Sequence, residues 1–265
     1  MLIAEVSRAY RWVTVMLHCA HKMFARSRYI NWEDRITGPY ALWNHCMHFD
    51  SIHTVIWDGL PSMVWKPSKW DSQADKFGMK NLHSGKYNCC VLKFHVAVGF
   101  HGIPHAFTGP AFGVEHDQKM WERDSEKFPM KDGDIHTCLC FLILWWSPGE
   151  WGMGDLAYIG SECISTGRKT PTSINAAPLT HFDIYWTNLI AFYRARVEIV
   201  IARLKRDAWA QQVFRGSFQL LLAFSEITAV TTAMQMKREF DEGKCMFEVV
   251  GPWPHQFWVK LIFLS

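Results

Sequence analysis

The stretch Asp183–Arg206, DIYWTNLIAFYRARVEIVIARLKR, constrains the fold more than any other part of the chain. It is the longest run with clean helical periodicity. At about 100° per residue, Leu189, Ile190, Tyr193, Val197, Val200, Ile201 and Leu204 fall in one apolar arc. A helix with such a stripe has to lay it against another layer of structure. Arg196, Arg203 and Arg206 fall on the opposite side, where solvent is expected. Glu198 lies on the border between the arcs, in a strip with Arg194 and Lys205 padded by Ala191, Ala195 and Ala202. Taken alone, Arg194 and Glu198 read as an exposed i,i+4 ion pair, worth a few tenths of a kcal/mol. Small neighbours nevertheless leave room for other groups to approach that carboxylate.

The segments before this helix supply the layer. HTVIW (53–57) reads as a strand that ends at Asp58-Gly59, and Met63–Trp65 as a short paired strand stopped by Pro67. NCCVLKFHVAVGF (88–100) is the strongest strand, with a turn at His101-Gly102 and a return over Ile103–Phe107 punctuated by Gly109-Pro110. His116-Asp117 precedes a short helix near Gln118–Ser125, and Trp151–Met153 is a short run ending in Gly154-Asp155. Residues 70–84 and 161–182 read as loops, 32–39 as a connector, and Gly216–Arg238 as a second helix with Phe218, Leu221, Leu222, Ile227, Val230 and Met234 apolar. Strands followed by helices predict an α/β protein with a mixed sheet flanked by helices.

Composition bounds the rest. The chain has 265 residues, 49% of them hydrophobic, which suffices for a substantial core and argues against bulk disorder. A net charge of +3 is too small to argue nucleic-acid binding by itself. The eight cysteines include no CxxC, and His136, Cys138 and Cys140 lack zinc-finger spacing, so reduced cysteines in an intracellular protein are expected. The longest apolar run, Cys138–Trp146, is too short to span a bilayer as a helix, and no signal peptide is expected. The 14 tryptophans, among them Trp57, Trp65, Trp121 and Trp151, read first as core and rim packing.

Three acids stand out by placement: Asp58 and Asp155 at strand ends, and Glu198 on a helix able to pack against those strands. Carboxylates brought together repel unless a hard cation sits among them, and Mg²⁺ prefers such oxygen ligands. The segments VIWDGLPSMVWKP (55–67), SGKYNCCVLKFHVAV (84–98), GPAFGVEHD (109–117), GDLAYIG (154–160), NLIAFYRARVEIVIARLK (188–205) and FRGSF (214–218) resemble, in collinear order over roughly residues 31–243, the DDE-type transposase nucleases of the Harbinger class, particularly the fungal-type branch. GDLAYIG together with RARVE…LK carries most of the specificity.

The resemblance implies an RNase H-like core with Asp58, Asp155 and Glu198 as a triad holding Mg²⁺ or Mn²⁺. It implies a supporting role for the pair His116 and Asp117. It makes Lys86, Lys93, Arg194, Arg196 and Lys205 candidates for the DNA backbone or for structural pairing. DNA as substrate and a nuclear location follow from it too, and assembly into a homo-oligomer is left open. On this reading residues 1–40 form a short helical segment and connector, 41–243 the nuclease domain, and 244–265 an aromatic tail.

Two departures from the family pattern shape the expectations. The first thirty residues are too few for a helix-turn-helix module plus linker, so a partner protein is expected to supply DNA recognition. An apolar insertion at 136–147 stands where the family has a shorter polar link. Both motivate an alternative, a catalytically inactive remnant that binds DNA or protein. A phosphatase using Asp58 as nucleophile would want a DxD partner, and residue 60 is Leu.

Overall fold

The computed structural model describes residues 15–16, 30, 34–37, 46–48, 51–66, 79–125, 150–161, 163–168 and 177–244. The apolar run at 136–147, most of the first forty residues and the tail beyond 244 lie outside the described residues. Among the described residues seven strands form the sheet: β1 (Cys46–His48), β2 (Ser51–Met63), β3 (His83–Ser84), β4 (Cys89–Gly99), β5 (Pro104–Phe112), β6 (Glu150–Gly154) and β7 (Ile164–Thr166). The longer helices among the described residues are α1 (Asp117–Ser125), α2 (His181–Leu204) and α3 (Phe218–Asp241). The sheet is mixed, as expected. β4 pairs antiparallel with both β2 and β5, and β6 and then β7 extend the other edge of β2 in parallel.

The 13-residue β2 is the central strand. It does not end at Asp58: pairing with β4 continues from Val55 opposite Gly99 to Met63 opposite Val91. Gly59 and Pro61 suggested a stop. However, β6 pairs with β2 only as far as Ile56, so further along one side of β2 is open. There the N–H that Pro61 lacks breaks no ladder. Val64 then bridges to Phe214 rather than forming a separate strand. β5 also runs past its expected end, through Gly109-Pro110, with the register shifting between Lys93 and His95. β7 was hidden in an expected loop, and only three residues long it carries too little periodicity to read.

Alternation along β2 sends Ile56, Leu60 and Val64 to one face and Val55 and Trp57 to the other. The first face packs on α2 and α3, the second on Trp121 of α1, Tyr158 and Ile164. All seven residues of the predicted α2 stripe are buried. Each such side chain contributes roughly 1.5–3 kcal/mol, so the stripe and not the surface charges decides how the helix lies. The helix starts two residues before Asp183, because Thr180 and Asp183 form a capping box. In α3 the buried face is wider than the sequence suggested. It is filled by Ala223, Ser225, Thr228, Ala229, Thr232 and Ala233, small residues that a hydrophobic count passes over. Among the described residues no helix is long and apolar enough to cross a membrane.

The connector around residue 35 is tied into the sheet. Arg35 reaches Glu150 with Nε at 2.5 Å and Nη2 at 2.6 Å, and Thr54 donates to the same carboxylate at 2.5 Å. Arg35 and Glu150 are 2% and 4% exposed, so this is a buried two-pronged ion pair. Lys237 of α3 holds Asp34 at 3.2 Å.

Beyond β4 lies a buried histidine pair. His101 Nδ1 accepts the Ile103 N–H at 3.0 Å, and its Nε2 lies 3.2 Å from His105 Nε2. Burial, then His105, Arg196 and Lys237, all disfavour the imidazolium and hold His101 well below its ordinary value of 6.5. A lowered histidine leaves stability intact above the unfolded value and removes it as pH falls below about 6.5, where only the unfolded chain takes the proton. The urea midpoint is therefore expected to drop between about pH 7 and pH 5, with a smaller drop in His101→Asn, whose side-chain oxygen can still accept from Ile103. Equal drops in both proteins exclude this pair as the cause.

Candidate active site

The parallel pairing of β2 with β6 builds the site. Ile56 lies opposite Met153, so two residues on, Asp58 comes level with Asp155. Met153 packs in the α2-side cluster, whereas Gly154 faces Tyr158 and Ile164 on the other side. Asp155 has extended backbone and so returns to the α2 side, where Asp58 lies. An irregularity at Thr54 sets this alignment. Before it, His53 pairs with Trp151, a register that would carry Asp155 level with Trp57 on the opposite face. Gly154 has its own reason: a Cβ there would meet the Tyr158 ring at 2.8 Å. Its absence lets the short 3-10 turn Leu156–Tyr158 fold back, capped by Asp155, which accepts from Ala157 N–H at 2.8 Å.

Helix α2 brings the third acid. Arg194 Nη2 lies 3.4 Å from Asp58 Oδ2 and 3.4 Å from Glu198 Oε1. The expected i,i+4 pair is therefore present, and the same guanidinium also reaches across to the sheet. Arg194 Nε is buried without a hydrogen-bond partner among the described residues. Burial pushes the Asp58 carboxyl up; the Gly59 N–H at 2.7 Å and Arg194 pull it back, and the Asp155 charge raises it. The net direction is above the ordinary carboxylate value. Asp58 and Asp155 thus feel one another, and Arg194 ties Asp58 to Glu198, whose side chain is 60% exposed. Among the described residues no three His, Cys, Asp or Glu side chains are grouped, as they stand, to hold a metal ion.

The other expected residues divide. Asp117 lies behind β2 on the α1 side: a Cβ on Gly59 would sit 3.6 Å from Asp117 Oδ1. Lys93 donates to Glu115 O at 2.6 Å and to Asp117 at 3.3 Å, so it is held in structural pairing. His116 is exposed at the start of α1. Lys86 is exposed on the turn before β4, and Lys205 is half-buried at the C-terminal cap of α2.

Arg196 departs from the expectation of a solvated face. It is 6% exposed, with its guanidinium 4.8 Å from the Tyr193 ring. Aromatic faces can bury an arginine that the helical wheel assigns to water. Arg203 is likewise drawn in, pairing with Glu239 of α3 at 2.7 Å. Sequence reasoning missed the bridging role of Arg194. Its i,i+4 spacing to Glu198 was the available signal, but the reach to Asp58 depends on how α2 crosses β2.

Comparisons with protein-family models, with curated proteins and with solved structures found no match.

Proposed function

We propose that this chain is a metal-dependent nuclease that cuts DNA phosphodiester bonds and transfers strands, built on an RNase H-like core. The observation that carries the reading is the alignment of Asp58 with Asp155 on the face covered by α2, with Glu198 tied to Asp58 through Arg194. An antiparallel β2–β4–β5 meander extended by parallel β6 and β7 is also the strand arrangement expected of that core. The donor set is all carboxylate, without sulfur or imidazole, and so suits a hard cation. Asp58 and Asp155 fit a shared ion by their placement, and Glu198 joins them once it turns away from Arg194. A bound Mg²⁺ or Mn²⁺ supplies charge neutralisation and an activated water for in-line attack on phosphorus. Asp58 and Asp155 orient that centre from the rigid sheet. Arg194, once released from Asp58, would offer a positive charge to the phosphate. A nuclear location and a separate partner protein for sequence recognition join the proposal through the resemblance to the Harbinger-class nucleases alone.

A cleavage assay tests the proposal. The purified chain, incubated with supercoiled plasmid, is expected to nick and linearise it with Mg²⁺ or Mn²⁺ and to leave it intact in EDTA. Persistence of cutting in EDTA, or no cutting with either ion, overturns it.

The second reading, a remnant that binds without cutting, is favoured by one observation: Arg194 already occupies the cation's position between Asp58 and Glu198. Mn²⁺ titration of Arg194→Met followed by electron paramagnetic resonance separates the two. On the nuclease reading the competing charge is gone and Mn²⁺ binds about tenfold or more tightly than to the wild type, the loss of roughly one charge contact. On the remnant reading the wild type binds no Mn²⁺ and only Arg194→Met, with the blocking guanidinium gone, takes it up.

A further inference from the structure

At the far end of β2, well away from the carboxylates, lies a second group of residues that the nuclease reading does not use. Trp65 and Lys66 follow the last strand residue, and both are exposed. Trp65 N–H donates to Phe214 O at 2.8 Å, which brings Arg215 alongside. The Arg215 guanidinium lies 4.6 Å from the Trp65 ring centre, yet Trp65 remains 55% exposed. Val64 N–H donates to Cys90 O at 2.9 Å, and Ser84 pairs with Cys89, so the turn from Gly85 to Asn88 stands beside the same strand end. In that turn Lys86 Nζ lies 5.5 Å from the ring of Tyr87, itself 39% exposed. The Lys66 charge is felt at the Cys90 thiol, which fixes the lysine at this end of the sheet. Among the described residues, Lys66, Lys86 and Arg215 form no ion pair.

Two exposed rings, each accompanied by a cation, with a third cation beside them, combine two kinds of attraction. Flat aromatic faces stack on bases of any sequence, and unpaired cations neutralise backbone phosphates. A purely acidic peptide would use the cations and waste the rings. We propose that Trp65, Lys66, Lys86, Tyr87 and Arg215 form a stacking platform for single-stranded nucleic acid. Arg215 and Lys86 hold their rings in place and meet phosphates, Lys66 meets a further phosphate, and Trp65 and Tyr87 each stack a base. Trp65 lies seven residues along from Asp58, roughly 23 Å at ~3.3 Å per residue, so binding here is separable from cleavage and does not require the nuclease reading.

Fluorescence anisotropy of an end-labelled fifteen-nucleotide oligothymidylate, measured in EDTA with the full chain, tests this. The wild type is expected to bind with an affinity that falls as salt rises. Trp65→Ala is expected to weaken binding roughly five- to hundred-fold, the usual loss of one stacked base, and Trp65→Phe to keep most of it. Lys66→Ala and Arg215→Ala should each flatten the logarithmic salt slope by about 0.7. Lys119→Ala, which removes an exposed cation on α1, should bind like the wild type. Four outcomes overturn the proposal. The wild type does not bind; Trp65→Ala and Tyr87→Ala bind unchanged; Lys119→Ala loses as much as Trp65→Ala, which makes the binding a general effect of surface charge; or polyglutamate competes as well as unlabelled oligonucleotide, which makes the surface one for acidic peptides.

Discussion

Asp58→Asn is expected to remove metal-dependent cleavage while raising the melting temperature measured in EDTA. The two effects have one cause. The Asp58 carboxyl is largely buried and faces Asp155, so its charged form is disfavoured and its titration lies above the ordinary 3.8. A raised carboxylate holds its proton more tightly in the folded state. Its contribution to stability is therefore largest at low pH and is lost as pH rises through the window above 3.8. At neutral pH the charge works fully against folding, and asparagine relieves it while keeping an oxygen to accept from Gly59 N–H. Arg194 retains Glu198 as a partner. Cleavage should fall by on the order of 10³-fold, the several kcal/mol that a metal-held centre contributes. Asp155→Asn should lose cleavage likewise. Plasmid nicking and thermal melts on the same preparations check both. A variant that cuts at the wild-type rate removes Asp58 from the site, and one that melts lower in EDTA contradicts the account of its buried charge.

Arg35→Ala is expected to destabilise the fold by about 3–5 kcal/mol, because it takes a two-pronged counter-charge away from a buried carboxylate rather than simply deleting a surface contact. Glu150 is 4% exposed, and it would lose both prongs of its guanidinium while the Thr54 hydroxyl still donates to it. At roughly 2–4 °C per kcal/mol for a chain of this size, the melting temperature should fall by about 10 °C. The double variant Arg35→Met, Glu150→Met should recover much of the loss, since a buried pair replaced by apolar groups of similar volume is often neutral. Thermal and urea melts of the two variants decide it. A loss below about 1 kcal/mol in Arg35→Ala would mean the pair behaves like a surface bridge.

The sequence carried the parts of this molecule that repeat locally. The α2 stripe was readable because 3.6-residue periodicity marks a buried face wherever the helix packs, and β4 because a run of apolar β-formers admits few other structures. Asp58 and Asp155 were readable as acids beside glycines near apolar runs, but their alignment was not. It depends on a one-residue shift at Thr54 that leaves no compositional mark. Arg35 stayed hidden for a related reason: its partner is 115 residues away, and a connector rich in turn formers gave no sign of it. Arg196 was assigned to solvent because a helical wheel sees charge and angle but not the rings of Tyr193 and Phe192 beside it. Arg194 shows the same limit, since its contact with Asp58 is set by how α2 crosses the sheet.

The shift at Thr54 also bears on the order in which the molecule assembles. β2, β4 and β5 follow one another closely and can pair by short-range closure, whereas β6 pairs with β2 across a long sequence separation, Thr54 and Glu150 lying 96 residues apart. The two aspartates therefore meet only late, after the distant strand has found its register. A chain folded only as far as the meander has β2 in place but no Asp155 beside Asp58. On the proposed nuclease reading, nascent or partly unfolded copies should consequently be unable to cut, and hydrogen exchange in β6 should track the appearance of activity during refolding.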